Sequence, residues 1–287
     1  MLFTESARAK INLTLRVLGR RADGYHDLES LVVFADLADT LTLDPGPDNT
    51  IDVTGPYAAA SGKPADNLVL KALRALTESH GGKDLHGGHF RLDKHLPVAA
   101  GIGGGSADAA AALRLVARAN DLSFDDARLM LAALRTGADV PVCMASRACI
   151  MTGVGERLSP PLTLPPLHAV LVNPGVALAT RDVFSAYKVI PQAHALAPQA
   201  VPRELGALIA YLEGHGNDLT GAAIACAGVV DAVLQTLGDQ PGALLARMSG
   251  SGSTCFALFA TASEAQAAAA QLAAMHKDWW VAPAVLG

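Results

Sequence analysis

Lysine and arginine form no run longer than the pair Arg20-Arg21, and 22 of them stand against 27 aspartates and glutamates, for a formal net charge of −5. A basic face able to track a nucleic-acid backbone is therefore not expected, although backbone dipoles can still hold a small anion. Cysteine is scarce as well. Cys143, Cys149, Cys226 and Cys255 lie in apolar runs without Cys-x-x-Cys spacing, which argues against a zinc or disulfide framework and for thiols kept reduced. The opening of the chain carries charges and no apolar core of signal-peptide length, and the longest apolar runs fall short of a membrane span. A soluble, cytoplasmic protein without membrane association is expected. No internal repeat stands out, and aromatics make up only 5% of the residues, so an aromatic in a turn draws notice.

What is abundant is alanine, within a hydrophobic fraction of 51% that supplies ample core and favours helices. The 287 residues exceed the usual single-domain size, so two domains sharing one active site are expected, over residues 1–158 and 159–287. Ile11, Leu13, Leu15 and Val17 alternate with Asn12, Thr14 and Arg16, the pattern of a strand with one buried face, which puts Lys10 and Asn12 on its polar side. Asp23-Gly24 marks a hairpin turn with residues 28–35 as the returning strand, and residues 40–43 and 50–53 read as two more strands. Asp66 can cap a helix striped by Val69, Ala72, Leu73 and Leu76 that ends before Gly81-Gly82.

A strand over residues 89–92 leads into a glycine loop and a helix with Ala109, Leu113, Val116 and Ala117 on one face. Ser123 with Asp126 resembles a capping box for a helix striped by Ala127, Met130, Leu131 and Leu134 and closed by Gly137. After a proline-rich link at residues 159–166 come a strand at 168–172, helices at 181–188 and 203–212, and a long helix at 220–237. A second glycine-serine loop at 249–253 precedes a strand at 254–259, a helix at 263–275 and a closing strand at 280–285. Early strands with helices interleaved indicate an α+β fold.

The run from Pro97 to Asp108 holds Gly101, Gly103, Gly104 and Gly105 just ahead of the alanine-rich helix. It offers bare backbone N–H groups and a positive helix end to an anion, with the Ser106 hydroxyl beside them. No lysine follows as in a Walker A loop, and Asp121 in a turn is a poor match for the acidic residue of a dinucleotide fingerprint. The loop reads as a nucleotide-phosphate cradle; taken alone it reads equally as a flexible strand-to-helix turn.

Four further motifs accompany it in order: Ala9-Lys10-Ile11-Asn12-Leu13 with Gly24-Tyr25-His26, then Gly137-Ala138-Asp139-Val140-Pro141, Asn217-Asp218-Leu219, and residues 248–254. Together they resemble the GHMP family of small-molecule kinases over nearly the whole chain, and within it the branch that phosphorylates the 2-hydroxyl of 4-diphosphocytidyl-2-C-methyl-D-erythritol in isoprenoid precursor synthesis. The resemblance implies a two-domain fold, with an N-terminal nucleotide-binding domain like the second domain of ribosomal protein S5 and a ferredoxin-like C-terminal domain. It implies ATP and Mg2+ as cofactors. Pro97, Val98, Ala99, Ala100, Gly101, Ile102, Gly103, Gly104, Gly105, Ser106 and Ala107 would surround the triphosphate, with Asn67 and Lys94 flanking the adenine. Asp139 would accept the proton of the substrate hydroxyl, which Lys10 orients and acidifies.

For the substrate, the resemblance implies that Tyr25 stacks on the pyrimidine, His26 bonds its edge, and Phe184 behind Thr180 forms a second wall. Asn12 would hold the erythritol hydroxyls or the diphosphate, Ser249, Gly250, Ser251 and Gly252 would close the site, and Asp218 would support its base. Bland alternatives stand beside these roles: Asp139 as a helix N-cap before Val140-Pro141, Lys10 as a solvated strand-end lysine, Phe184 as a core residue. Ala107 stands where many relatives carry a second serine, and the magnesium-binding glutamate of some branches has no counterpart here, so no protein metal ligand is named. A sister kinase acting on homoserine or mevalonate is the nearest alternative, opposed by Tyr25-His26. A non-catalytic nucleotide-binding regulator is the other, opposed by the presence of both Lys10 and Asp139. Alanine-rich faces leave room for a homodimer.

Overall fold

The computed structural model describes residues 1–81, 85–188 and 201–287. Strands β1 (Phe3–Asn12), β2 (Arg16–Arg20) and β3 (His26–Pro45) open the chain. The backbone bends at Leu13 and Thr14, so the alternating stretch is split between β1 and β2. Residues 9–15 are all buried, Lys10 and Asn12 included; the expected polar side is a covered one, because both faces of the strand end are packed. The hairpin forms as expected, with Arg20 opposite His26 and Gly24 at φ 88° in the turn. Residues 28–35 and 40–43 belong to one unbroken strand, β3, rather than two.

β4 (Thr50–Thr54) is followed by α1 (Leu68–Ser79), β5 (Gly88–Asp93), α2 (Gly104–Ala119), α3 (Ala127–Thr136) and the short α4 (Val140–Ala145). Asn67, not Asp66, caps α1, accepting from Val69 N at 2.9 Å; Asp66 lies in a preceding 3-10 turn. The expected stripe of α1 is buried, while Gly82 lies outside the described residues. α2 is buried on nearly every side, so its apolar stripe is part of a wholly enclosed helix. Asp126 itself caps α3. That helix turns the other face inward: Leu129, Ala132 and Ala133 are buried, whereas Met130, Leu131 and Leu134 are exposed. Helical spacing alone allowed two apolar faces here, and α3 packs against α1 by the one with smaller side chains.

The rest of the chain forms β6 (Cys149–Gly153), β7 (Arg157–Leu158), β8 (Leu167–Asn173), α5 (Thr180–Ala186), α6 (Leu205–Glu213), α7 (Thr220–Cys226), α8 (Val229–Gly238), β9 (Ala243–Met248), β10 (Cys255–Phe259), α9 (Ala262–Met275) and β11 (Trp280–Leu286). The expected long helix at 220–237 is broken between α7 and α8, with Ala227 extended and Gly228 as the second helix's N-cap.

The chain divides into two compact units that interleave in sequence. The first comprises Met1–Ala9, Leu37–Val98 and Gly103–Ser146, and the second Lys10–Asp36, Ala99–Ile102 and Arg147–Gly287. In the first, β5 pairs antiparallel with the end of β3 and parallel with β4, and α1 packs on α2 and α3. Phe90, Leu92, Leu41 and Leu43 are fully buried there, each contributing roughly 1.5–3 kcal/mol by burial. In the second unit the strands lie in the order β11-β8-β10-β9, all antiparallel, with α8 and α9 packed on them. That order with that chain succession is the ferredoxin-like split βαβ arrangement. Among the described residues no helix is long and apolar enough to cross a membrane.

Candidate active site

The glycine loop runs between β5 and α2. Ala99, Gly101 and Gly103 have φ of 53°, 76° and 64°, a backbone path that alanine adopts only under strain and that makes successive amides converge. Gly103 is the N-cap of α2 in a left-handed conformation and, lacking a side chain, makes no cap hydrogen bond. A helix of 16 residues therefore opens without a side-chain cap on its first amides, the arrangement that suits phosphate. Gly105 is exposed and Ser106 partly exposed on this first turn, whereas Pro97, Ala100, Ile102, Gly104 and Ala107 are buried beneath it. Val98 is partly buried and Ala99 exposed.

Within the first unit, Lys94 is buried with its ammonium held by Asp39 Oδ2 at 2.5 Å and Asp108 Oδ2 at 2.6 Å. Burial works against the lysine's charge, but the two carboxylates outweigh it and hold its pKa above the ordinary value. Burial pushes Asp108 up to about 7, against the pull of Lys94 and with the like charge of Asp39 adding to the rise. Asn67 spends its carbonyl oxygen on the cap of α1. Asp139 occupies the N-cap position of α4 but makes no side-chain cap hydrogen bond, so capping is not the use made of its carboxylate. Of the expected catalytic pair, Asp139 belongs to this unit and Lys10 to the other.

The second unit gathers many of the other expected residues around residues 99–102. Lys10 is buried and donates its backbone N–H to Ile102 O at 2.9 Å. Asn12 N donates to Ser249 Oγ at 3.1 Å, and that hydroxyl donates to Gly101 O at 3.1 Å. Gly101 has no room for a side chain: a Cβ would lie 2.6 Å from the Ser249 and Gly252 carbonyl oxygens. Gly250, at φ 56°, is as tightly placed: a Cβ there would lie 2.7 Å from Gly101 O. Asn217 Nδ2 fastens the second loop through Met248 O and Gly250 O, both at 2.8 Å, and Thr180 Oγ1 meets Ser251 Oγ at 3.0 Å. Asn12 Nδ2 donates to Ser30 Oγ at 2.7 Å. Asp218 Oδ2 accepts from Val17 N at 2.8 Å, a supporting contact.

At the hairpin, His26 stacks on Phe184 with ring centroids 4.9 Å apart, and Tyr25 is 61% exposed. Phe184 also packs against the core of this unit. Burial first, and the charge of Arg20 second, hold His26 below the usual histidine pKa, so its ring is neutral at pH 7 and both donates and accepts.

Sequence reasoning missed Asp39 and Asp108. A signal for Asp108 was present, a lone acid between Ala107 and Ala109 on the buried side of an alanine helix; Asp39 carried none.

Residues 67–147 match the model for the N-terminal domain of GHMP kinases, and residues 194–278 the model for their C-terminal domain. The 4-diphosphocytidyl-2-C-methyl-D-erythritol kinase of Rhodopseudomonas palustris (strain BisB18) is 56% identical, over 99% of this chain and 94% of its own. A crystal structure of 4-(cytidine 5'-diphospho)-2C-methyl-D-erythritol kinase superimposes with a TM-score of 0.79 at 33% identity, covering 99% of both chains. A homoserine kinase structure from Cytophaga hutchinsonii shares the fold, with a TM-score of 0.70 at 19% identity over 98% of this chain and 94% of its own. Five ordered motifs, an uncapped helix start behind a glycine loop and these matches lead to one statement: the chain belongs to the GHMP kinase family.

Proposed function

We propose that this chain is a cytoplasmic enzyme that transfers the γ-phosphoryl group of ATP to the 2-hydroxyl of 4-diphosphocytidyl-2-C-methyl-D-erythritol, a step of non-mevalonate isoprenoid precursor synthesis. The single observation that carries this is the 56% identity, across 99% of the chain, to a relative named for that acceptor. Phosphoryl transfer asks for alignment and charge stabilisation more than for covalent help. The amides of Gly104, Gly105 and Ser106 bind the phosphate oxygens at the start of α2. Lys10 orients the acceptor hydroxyl and favours its ionised form, and Asp139 takes its proton.

Tyr25 stacks on the cytosine, His26 bonds the base edge as a neutral ring steadied by Phe184, and Asn12 holds the polyol or diphosphate. Ser249, Gly250, Ser251 and Gly252 close over the acceptor, with Thr180 fixed to Ser251. Among the described residues no group of three His, Cys, Asp or Glu side chains is placed to hold a metal. Mg2+ would be carried on the triphosphate, where it would supply charge neutralisation, with the Ser106 hydroxyl on the first turn of α2 offered to phosphate or metal.

The test is ADP release with ATP and a panel of acceptors: the cytidyl compound, homoserine, mevalonate and phosphomevalonate. Turnover is expected with the first alone. Turnover with another acceptor in its place, or with none, would overturn the assignment.

A further inference from the structure

A buried ion cluster is a poor device for stability, since desolvating three charges offsets most of their mutual attraction and an apolar replacement often does as well. The cluster of Asp39, Lys94 and Asp108 is nonetheless enclosed in the first unit, with the three side chains 0–4% exposed. Asp108 even keeps its Oδ1 buried without a hydrogen-bond partner among the described residues. Its bonds go to particular places. Asp39 Oδ1 accepts from the backbone N–H groups of His95 at 2.6 Å and Leu96 at 2.8 Å, the two residues that precede the glycine loop. Asp39 Oδ2 and Asp108 Oδ2 share the Lys94 ammonium, and Asp108 sits one turn inside α2, just after the loop. Lys94 Nζ lies under the helix start, 3.3 Å from where a Cβ on Gly104 would be.

We propose that Asp39, Lys94 and Asp108 form a clamp that fixes both ends of the glycine loop, making Asp39 and Asp108 positioning residues for the nucleotide phosphates. The inference rests on the nucleotide reading of that loop. The physical need is plain. A glycine-rich segment has the most conformational freedom to lose when it wraps a phosphate, and holding both ends beforehand lowers that loss at the moment of binding. The ammonium alone would oppose the positive end of α2, and the carboxylates beside it offset that opposition.

The experiment is calorimetric titration of the wild-type protein, Asp39→Asn and Asp108→Asn with a non-hydrolysable ATP analogue and, separately, with the cytidyl compound, alongside steady-state kinetics. In each variant nucleotide affinity is expected to fall at least tenfold, with KM for ATP rising in step. Affinity for the cytidyl compound should stay within about twofold. Unchanged nucleotide affinity in a folded variant, or equal weakening of both ligands, would overturn the clamp. Amide hydrogen exchange on the wild type needs no variant to fold. The His95 and Leu96 amides should exchange as slowly in the free protein as that of Phe90 in β5, and nucleotide should then slow residues 101–106. Fast exchange at 95 and 96 would overturn the proposal. A wild-type protein that binds the cytidyl compound but no nucleotide would overturn the nucleotide reading itself, and the clamp with it.

Discussion

Two glycine-serine loops of similar composition, residues 101–106 and 249–253, do different work because of what lies under them. The first ends in α2 with its amides unclaimed by any cap and has charged residues beneath its flanks, Lys94 between Asp39 and Asp108. The second ends in β10 and is fastened by neutral groups: Asn217 to the carbonyls of Met248 and Gly250, Asn12 N to Ser249, and Asn173 to Ser253 and Thr254. The first is built to receive charge and the second to hold a shape. Glycine content does not separate a cradle from a closed turn; the element that follows and the polarity of the support do.

The largest effect is expected where neither loop is touched. Asp139→Asn should lower turnover by a factor on the order of 10² or more with little change in ATP affinity, as read by steady-state kinetics and nucleotide titration. Equal activity would remove Asp139 from the chemistry. Next comes the point where residues of both loops meet. Gly101→Ala puts a Cβ 2.6 Å from two backbone oxygens at a positive φ, and roughly 2–3 kcal/mol of stability should be lost in denaturant unfolding. A variant of wild-type stability would show that the two loops are less tightly packed than described.

Asn217→Ala touches the second loop alone. It leaves the Met248 and Gly250 carbonyls without their donor, which should lower stability by about 1–2 kcal/mol and raise KM for the acceptor more than for ATP. A selective loss of ATP affinity would reverse the division of labour drawn between the loops.

The smallest effect concerns the charged support of the first loop. Asp108 is pushed up to about 7 chiefly by burial, whereas an unfolded aspartate titrates near its model value of 3.8. Between those values the folded protein binds the extra proton, so this group makes stability fall as pH rises from about 4 to 7. Asp108→Asn should flatten that decline in unfolding curves taken across the range. A variant as pH-sensitive as the wild type would place the titration elsewhere.

Much of this was legible in the chain. The glycine loop and the hairpin with Tyr25-His26 are local patterns, set by turn chemistry and hydrophobic period, whereas the ferredoxin-like arrangement follows from the family resemblance alone, since β9 (Ala243–Met248) carries no strand reading in the sequence. What was not legible depends on partners far away in sequence. Lys10 and Asn12 looked like the wet side of a strand, because nothing near them announces that residues 102 and 249 cover it. The stripe Ala127, Met130, Leu131 and Leu134 and its rival Leu129, Ala132 and Ala133 fit a helix equally well, and α1 decides between them. What reads as one helix breaks at Ala227, whose backbone is extended, with Gly228 opening the next helix. Asp39 and Asp108 became meaningful only once Lys94 was seen between them.

Phosphorus NMR of ATP, Mg2+ and the cytidyl compound incubated with the protein tests the central claim most directly. A new phosphomonoester resonance should grow in one-for-one step with the loss of the ATP γ signal while the diphosphate of the acceptor stays intact. Loss of the γ signal to inorganic phosphate alone, or an acceptor returned unchanged beside intact ATP, would contradict it.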